Sequence, residues 1–210
     1  MIDFFVKGGP VMYPLLACSL ISLTVIIERA LFWIREDMRT DRRLVEEVLE
    51  LCRKGNWEEV RLKVSGSLDH VVRILVSGIL HREFSMTNAM ESAAAEEIAR
   101  MRRFLNVLDT MITVAPLLGI LGTVLGIISS FEMLGSTGID HPEAVTGGIA
   151  QALITTATGL AIAILSVLPF NYFNSRVESA ASNMEIYATS LEIVYGKLVR
   201  TEDTGRGVSS

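Results

Sequence analysis

The sequence predicts an all-α membrane protein with three transmembrane helices, the second and third extending into the cytoplasm. Half of the 210 residues are hydrophobic, and the mean hydropathy of +0.43 is high for a chain that folds in water. Lys, Arg, Asp and Glu are absent from three long stretches, residues 8–27, 110–131 and 144–175. A helix rising about 1.5 Å per residue needs roughly 20 residues to cross a hydrocarbon core of about 30 Å. The first two gaps suit one crossing each, and the third has length to spare. Small residues also recur on one helical face in the last two stretches. Ala115, Gly119, Gly122, Gly126 and Ser129 form one series; Gly148, Ala152, Thr156, Gly159, Ala163 and Ser166 form the other. In lipid, where apolar burial gives no driving force between helices, such stripes let backbones approach closely. The two helices therefore read as a membrane hairpin.

Residues 1–10 read as an external N-terminal segment whose apolar residues and Lys7 suit the headgroup zone. The first span covers residues 11–33. Pro10 and Pro14 fall at its start, where missing amide donors cost least, and Phe32 and Trp33 fall at interfacial depth. Glu28 and Arg29 read as an interfacial pair, with Arg29 snorkelling and Glu28 meeting a neighbouring subunit or the cytoplasmic region.

Residues 34–109 form a cytoplasmic helical region. Leu44, Val45, Val48, Leu49 and Cys52 give one apolar helix face, and Gly55 is the stop. Asn56 and Glu59 resemble a capping pair opening the next helix. Leu68, Val71, Val72, Leu75 and Ile79 give a further apolar face, and His70 and His81 read as ordinary core or surface histidines. From Thr87 a single helix is expected to run unbroken to Met133, because Ala94, Ile98, Met101, Leu105 and Leu108 keep one seam. Pro116 should bend it.

The second span covers residues 110–134 and an external loop residues 135–146, in which Asp140, Pro142 and Glu143 are helix-start residues and His141 a loop residue. The third span covers residues 147–170. A cytoplasmic helix follows over residues 171–200, where Val177, Ala181, Met184, Ala188, Leu191, Tyr195 and Leu198 alternate by four and three. Its expected partner is the cytoplasmic half of the preceding long helix. Residues 201–210 read as a disordered tail.

Orientation follows from Lys and Arg. Only Lys7 precedes the first span, and the loop between the last two spans carries neither residue. The N-terminus and that loop are thus expected outside, and the middle region and C-terminus inside. Cys18 and Cys52 then lie on opposite sides of any redox boundary and should not pair. No metal-ligand spacing, phosphate loop or nucleophile constellation appears, so no enzyme, metal or cofactor is expected. A net charge of −5 carries no nucleic-acid footprint.

Inside the last two spans lie Thr110, Thr113, Thr123, Ser129 and Ser130, then Thr146, Gln151, Thr155, Thr156, Thr158 and Ser166. This favours a polar-lined interior over scattered hydroxyls bonded to their own helix. No titrating side chain accompanies them. If protons move here, the carboxylate that carries them comes from another chain.

The motifs GGPVMYPLL and IIER around span one, APLLGILGTVLGIISSF in span two and GGIAQALITTATGLAIAI in span three resemble the ExbB/TolQ branch of the MotA/TolQ/ExbB proton channel family. The resemblance implies a bacterial inner-membrane homopentamer whose second and third spans line a central channel. It implies a dimer of ExbD/TolR-like single-span partners in that channel, and proton-motive force passed on to a TonB- or TolA-like protein. By motif, the pore-facing threonines fall on Thr123 and Thr156. Gln151 stands where many members have Glu, so a hydrogen-bonding role survives there but a proton relay is in doubt. Gly119, Gly122, Gly126, Ala152 and Gly159 are the expected helix-packing positions. A passive membrane scaffold and a self-contained channel subunit are the competing readings. The residues leave open ExbB-like import and TolQ-like envelope maintenance.

Overall fold

The computed structural model describes residues 5, 7–39, 42–64, 67, 69–82, 84–137 and 142–206. These residues form helices and turns and no strand. The helices are α1 (Met12–Asp37), α2 (Arg42–Arg53), α3 (Trp57–Val64), α4 (His70–Leu80), α5 (Met86–Arg102), α6 (Leu105–Thr137) and α7 (Pro142–Arg206). Three are long and apolar enough to cross a membrane, over Met12–Asp37, Leu105–Gly135 and Thr146–Leu198. They group into two compact units: Met1–Ala30 with Phe104–Asn174, and Leu31–Arg103 with Ser175–Ser210.

In the first unit, α1 turns one face inward. Leu15, Cys18, Ser22, Val25 and Arg29 recur by three and four and are all buried. Val11, Met12, Leu15 and Cys18 pack with Ala115 into a core extended by Met111, Val114, Leu118, Ile154 and Ile162. The N-terminal half of α1 thus rests on both α6 and α7. The outward faces are apolar too: Leu117, Leu153 and Leu165 are 59%, 66% and 70% exposed. Such surface belongs against lipid or another chain rather than water.

Arg29 departs from the snorkelling expected of it. It is 2% exposed, donates from Nη2 to Glu28 Oε1 at 2.6 Å, and lies 5.8 Å from the ring centre of Phe104. The inward face that carries Leu15 and Val25 carries Arg29 with it, so the guanidinium points into the unit.

The single helix expected over Thr87–Met133 is two helices. α5 ends at Arg102 and α6 begins at Leu105, because Phe104 adopts φ +65°. The amides of Val107 and Leu108 restart the ladder by bonding to the Phe104 carbonyl at 3.1 and 3.2 Å. A left-handed residue with a bulky side chain costs about 1–2 kcal/mol. The cation–π contact with Arg29 and the burial of Leu105 and Leu108 offset that cost. The apolar spacing continues across the break, so periodicity alone passed over it.

The second unit is a cluster of short helices. Gly55 ends α2 with φ +70°, and the amides of Gly55 and Asn56 bond back to Cys52 and Leu51, a glycine-stopped helix end. Asn56 Nδ2 donates to Glu59 Oε2 at 2.6 Å, joining the two residues expected to open α3. The buried Asp69 carboxylate caps α4, accepting from the amides of Val71 and Val72 at 2.7 and 3.2 Å. Gly78 lets α5 approach α4: a Cβ there would lie 2.6 Å from Met90 Cγ. Of the apolar face expected on α4, Val71, Val72, Leu75 and Ile79 are buried, and Leu68 lies outside the described residues.

Buried charges link these helices. Glu36 Oε1 meets His70 Nδ1 at 3.2 Å and Arg100 Nη2 at 3.4 Å. Glu97, also buried, pairs with Arg100 at 2.8 Å and Arg73 at 2.6 Å. Two interior carboxylates are thereby neutralised by cations from α4 and α5. His70 is a core histidine.

Thr87 Oγ1 of α5 donates to Glu192 Oε1 of α7 at 2.6 Å, and Met184 and Leu191 in the C-terminal part of α7 are buried. α7 runs to Arg206, six residues into the stretch read as a tail; residues 207–210 lie outside those described. So do Asp140 and His141 of the expected loop.

Candidate functional site

The candidate site is the contact between α6 and α7 in the first unit. Both helices are rich in Gly, Ala and Ser along one stripe, so their backbones approach closely. A Cβ on Gly119 would lie 3.1 Å from the Thr155 carbonyl oxygen and from Thr156 Cα. On Gly126 it would meet the Gly148 carbonyl oxygen at 2.7 Å and Ala152 Cβ at 3.1 Å. On Gly159 it would run into the Ala115 carbonyl and reach Gly119 Cα at 3.2 Å. These neighbours are backbone atoms and one alanine Cβ, which no rotamer change can move aside. Gly122 faces Thr155, whose Cβ would lie 2.6 Å from an added Cβ.

Thr123 and Thr156 meet in the middle of this contact. Their hydroxyls hydrogen-bond to each other across the helices. Thr156 Oγ1 also donates to the Gly119 carbonyl at 3.0 Å, and Thr123 Oγ1 lies 3.2 Å from that same oxygen and 3.3 Å from the Ala152 carbonyl. Two hydroxyl protons serve two carbonyls and one another, so the pair can change hydrogen-bond direction without gaining or losing a proton. Gly119 makes this possible, since any side chain there would displace Thr156.

Gln151 does not join the pair. Five residues from Thr156 it sits on another face of α7, and its amide lies against Gly9, where a Cβ would be 2.7 Å from Gln151 Cδ. Gly9 has φ +71° in the turn that leads into α1. Gln151 thus touches the start of span one.

The remaining hydroxyls are mostly bonded to their own helices. Thr110, Thr113, Ser130, Thr158 and Ser166 each donate to the carbonyl four residues earlier, and Thr155 donates to Ala152 at 2.9 Å. Thr123 and Thr156 differ in bonding to each other across the two helices. Sequence reasoning also misplaced one seam position by a residue. Ser130, buried, is the serine that faces Gly148, whereas Ser129 is only half-buried. A one-residue offset rotates a helix position by about 100°, and only the packed pair resolves it.

Among the described residues, no three His, Cys, Asp or Glu side chains are grouped to hold a metal ion. No Asp, Glu, Lys, Arg or His lies between residues 110 and 131 or between residues 144 and 175. The site offers hydroxyls, carbonyls and close packing.

Residues 68–186 match the model of the MotA/TolQ/ExbB proton channel family. An ExbB-like biopolymer transport protein of Synechocystis sp. is 38% identical over 195 residues, covering 90% of this chain and 91% of that one. A second from the same organism is 34% identical over 207 residues, 93% of this chain and 79% of that one. The Tol-Pal system protein TolQ of Pseudomonas aeruginosa is 33% identical over 118 residues, 56% of this chain and 51% of its own. The matched region takes in both helices of the threonine contact, and with it this chain belongs to the MotA/TolQ/ExbB proton channel family.

Proposed function

We propose that this protein is the inner-membrane wall subunit of a proton-motive-force-driven motor, energising TonB-dependent transport or envelope maintenance. The observation that carries the reading is the Thr123–Thr156 pair in a glycine-packed hairpin whose apolar stretches hold no titrating group. A hydroxyl pair can stabilise a carboxylate or orient a water, but it cannot load and release a proton near neutral pH. The carrier is therefore a carboxylate on an ExbD/TolR-like single-span partner, held in a channel that copies of this chain surround as a homopentamer.

In this reading the N-terminus and the α6–α7 loop are outside, and residues 34–109 and 171–210 are cytoplasmic. One elementary charge crossing 100 mV releases about 2.3 kcal/mol, so several protons coupled through a ring supply usable work. The chain itself is a transport component and not an enzyme.

Thr→Val keeps shape and removes the hydroxyl. Thr123→Val and Thr156→Val should leave oligomer and partner co-purification intact. They should lower proton-dependent uptake roughly ten- to a hundredfold, the effect of about 1–3 kcal/mol expected when a buried carboxylate loses a hydrogen bond. Wild-type uptake in both variants would sink the assignment in favour of a passive scaffold, which the backbone-to-backbone seam would serve equally well. Gln151→Glu should be tolerated, and Gln151→Leu should impair uptake.

A further inference from the structure

We propose that the groove between α5 and the second half of α7 docks a basic amphipathic helix of another protein. The groove is an open cleft of about 640 Å³ within the second unit. Its floor is apolar: Met90 and Met184 are buried, and Ala181 and Ala188 of the four-and-three alternation are only half-covered. A strip of the packing face predicted for α7 is thus left open along small side chains, where another helix can approach closely.

The rim fixes the chemistry of the occupant. Glu178, Glu185 and Glu192 stand seven residues apart, on one line down α7, and Glu91 faces them from α5. Arg102 is the single cation lining the groove among the described residues. Four carboxylates against one guanidinium, flanking an apolar floor, match a helix with an apolar ridge and cations repeating every two turns. A second copy of this chain does not supply it. Its own groove is acidic, and among the described helices none carries three basic residues at seven-residue intervals on one face.

The test needs no proton gradient, so it stands or falls apart from the threonine pair. The full chain is placed in nanodiscs of zwitterionic lipid and titrated with a fluorescent Leu/Lys amphipathic peptide of about 14 residues, roughly four turns. Empty nanodiscs and a Leu/Glu peptide of the same pattern are the controls. Saturable binding of the basic peptide that weakens as salt shortens the screening length is the expected result. Glu178→Lys with Glu185→Lys should weaken it by about tenfold, and the milder Glu178→Gln with Glu185→Gln by about threefold. Glu46→Lys with Glu58→Lys changes net charge equally elsewhere in the same unit and should leave binding unchanged. Equal affinity in the groove variants, equal loss in the control pair, or equal binding of the acidic peptide would each overturn the proposal. So would a changed oligomer mass in the groove variants, which would assign the groove to a second copy of this chain.

Discussion

The guanidinium of Arg29 lies 5.8 Å from the ring centre of Phe104, the one non-glycine residue with positive φ among those described. The contact joins the end of the first span to the point where α5 gives way to α6. It explains how a phenylalanine holds a conformation that ordinarily calls for glycine.

A substitution series at this position separates backbone from side chain. Phe104→Leu keeps an unbranched Cβ and should cost mainly the ring contact. Phe104→Val adds a branch that the left-handed region does not accommodate, and should cost about 1–2 kcal/mol more. Thermal unfolding followed by circular dichroism reads the difference. Equal melting temperatures for the two variants would mean that the chain runs straight through residues 103–104.

The glycine seam should respond to a single methyl group. Gly159→Ala drives a Cβ into the Ala115 carbonyl and against Gly119 Cα, so the helices must separate. A loss of about 1–3 kcal/mol is expected from such overpacking. Gly196→Ala is the counter-case: an added Cβ meets nothing within 4 Å, and the helix gains about 0.5–1 kcal/mol. Melting temperatures should move in opposite directions.

Cys52 is fully buried in the second unit, and burial pushes its thiol from an ordinary 9.0 up to about 11. Its thiolate is scarce at pH 8, so maleimide should label it only after denaturation. The folded state holds the thiol proton more tightly than the unfolded state does. This contribution to stability is therefore complete below about pH 9 and lost as pH rises towards about 11. Denaturant midpoints measured at pH 8 and pH 10.5 should fall accordingly, and Cys52→Ala should remove that part of the fall.

The proposed orientation has its own readout. A cysteine at Ser136 should react with a membrane-impermeant reagent from outside whole spheroplasts, and one at Ser67 only after lysis. The reverse pattern would invert the topology argued from Lys and Arg.

What the sequence made legible follows from which forces act locally. Uninterrupted apolar length gives the three long helices, and small residues three and four apart give the seam, because both depend on spacing along one helix. The break at residues 103–104 carries no glycine or proline, and Met101, Leu105 and Leu108 keep their period across it. One contact that helps to hold it comes from Arg29, about 75 residues earlier in the chain. The Glu36–His70–Arg100 network is hidden for the same reason: neither partner announces the other across 34 or 64 residues. The motif resemblance named Thr123 and Thr156 as pore-facing, while their bond to each other and the separation of Gln151 from them required knowing which helix faces meet.

The seam also bears on the order in which the protein is made. Only residues 138–141 separate α6 from α7, so closing the hairpin costs little chain entropy. Helices that insert one at a time and then associate will zip here as soon as the first half of α7 leaves the ribosome. The Gly8–Gly9 turn before α1 waits, since Gln151 and Ile154, which meet it, belong to that last helix. Val11 and, in α1, Met12 and Leu15 can meet Ala115 of α6 earlier, so the first helix to enter the membrane is the last to complete its contacts.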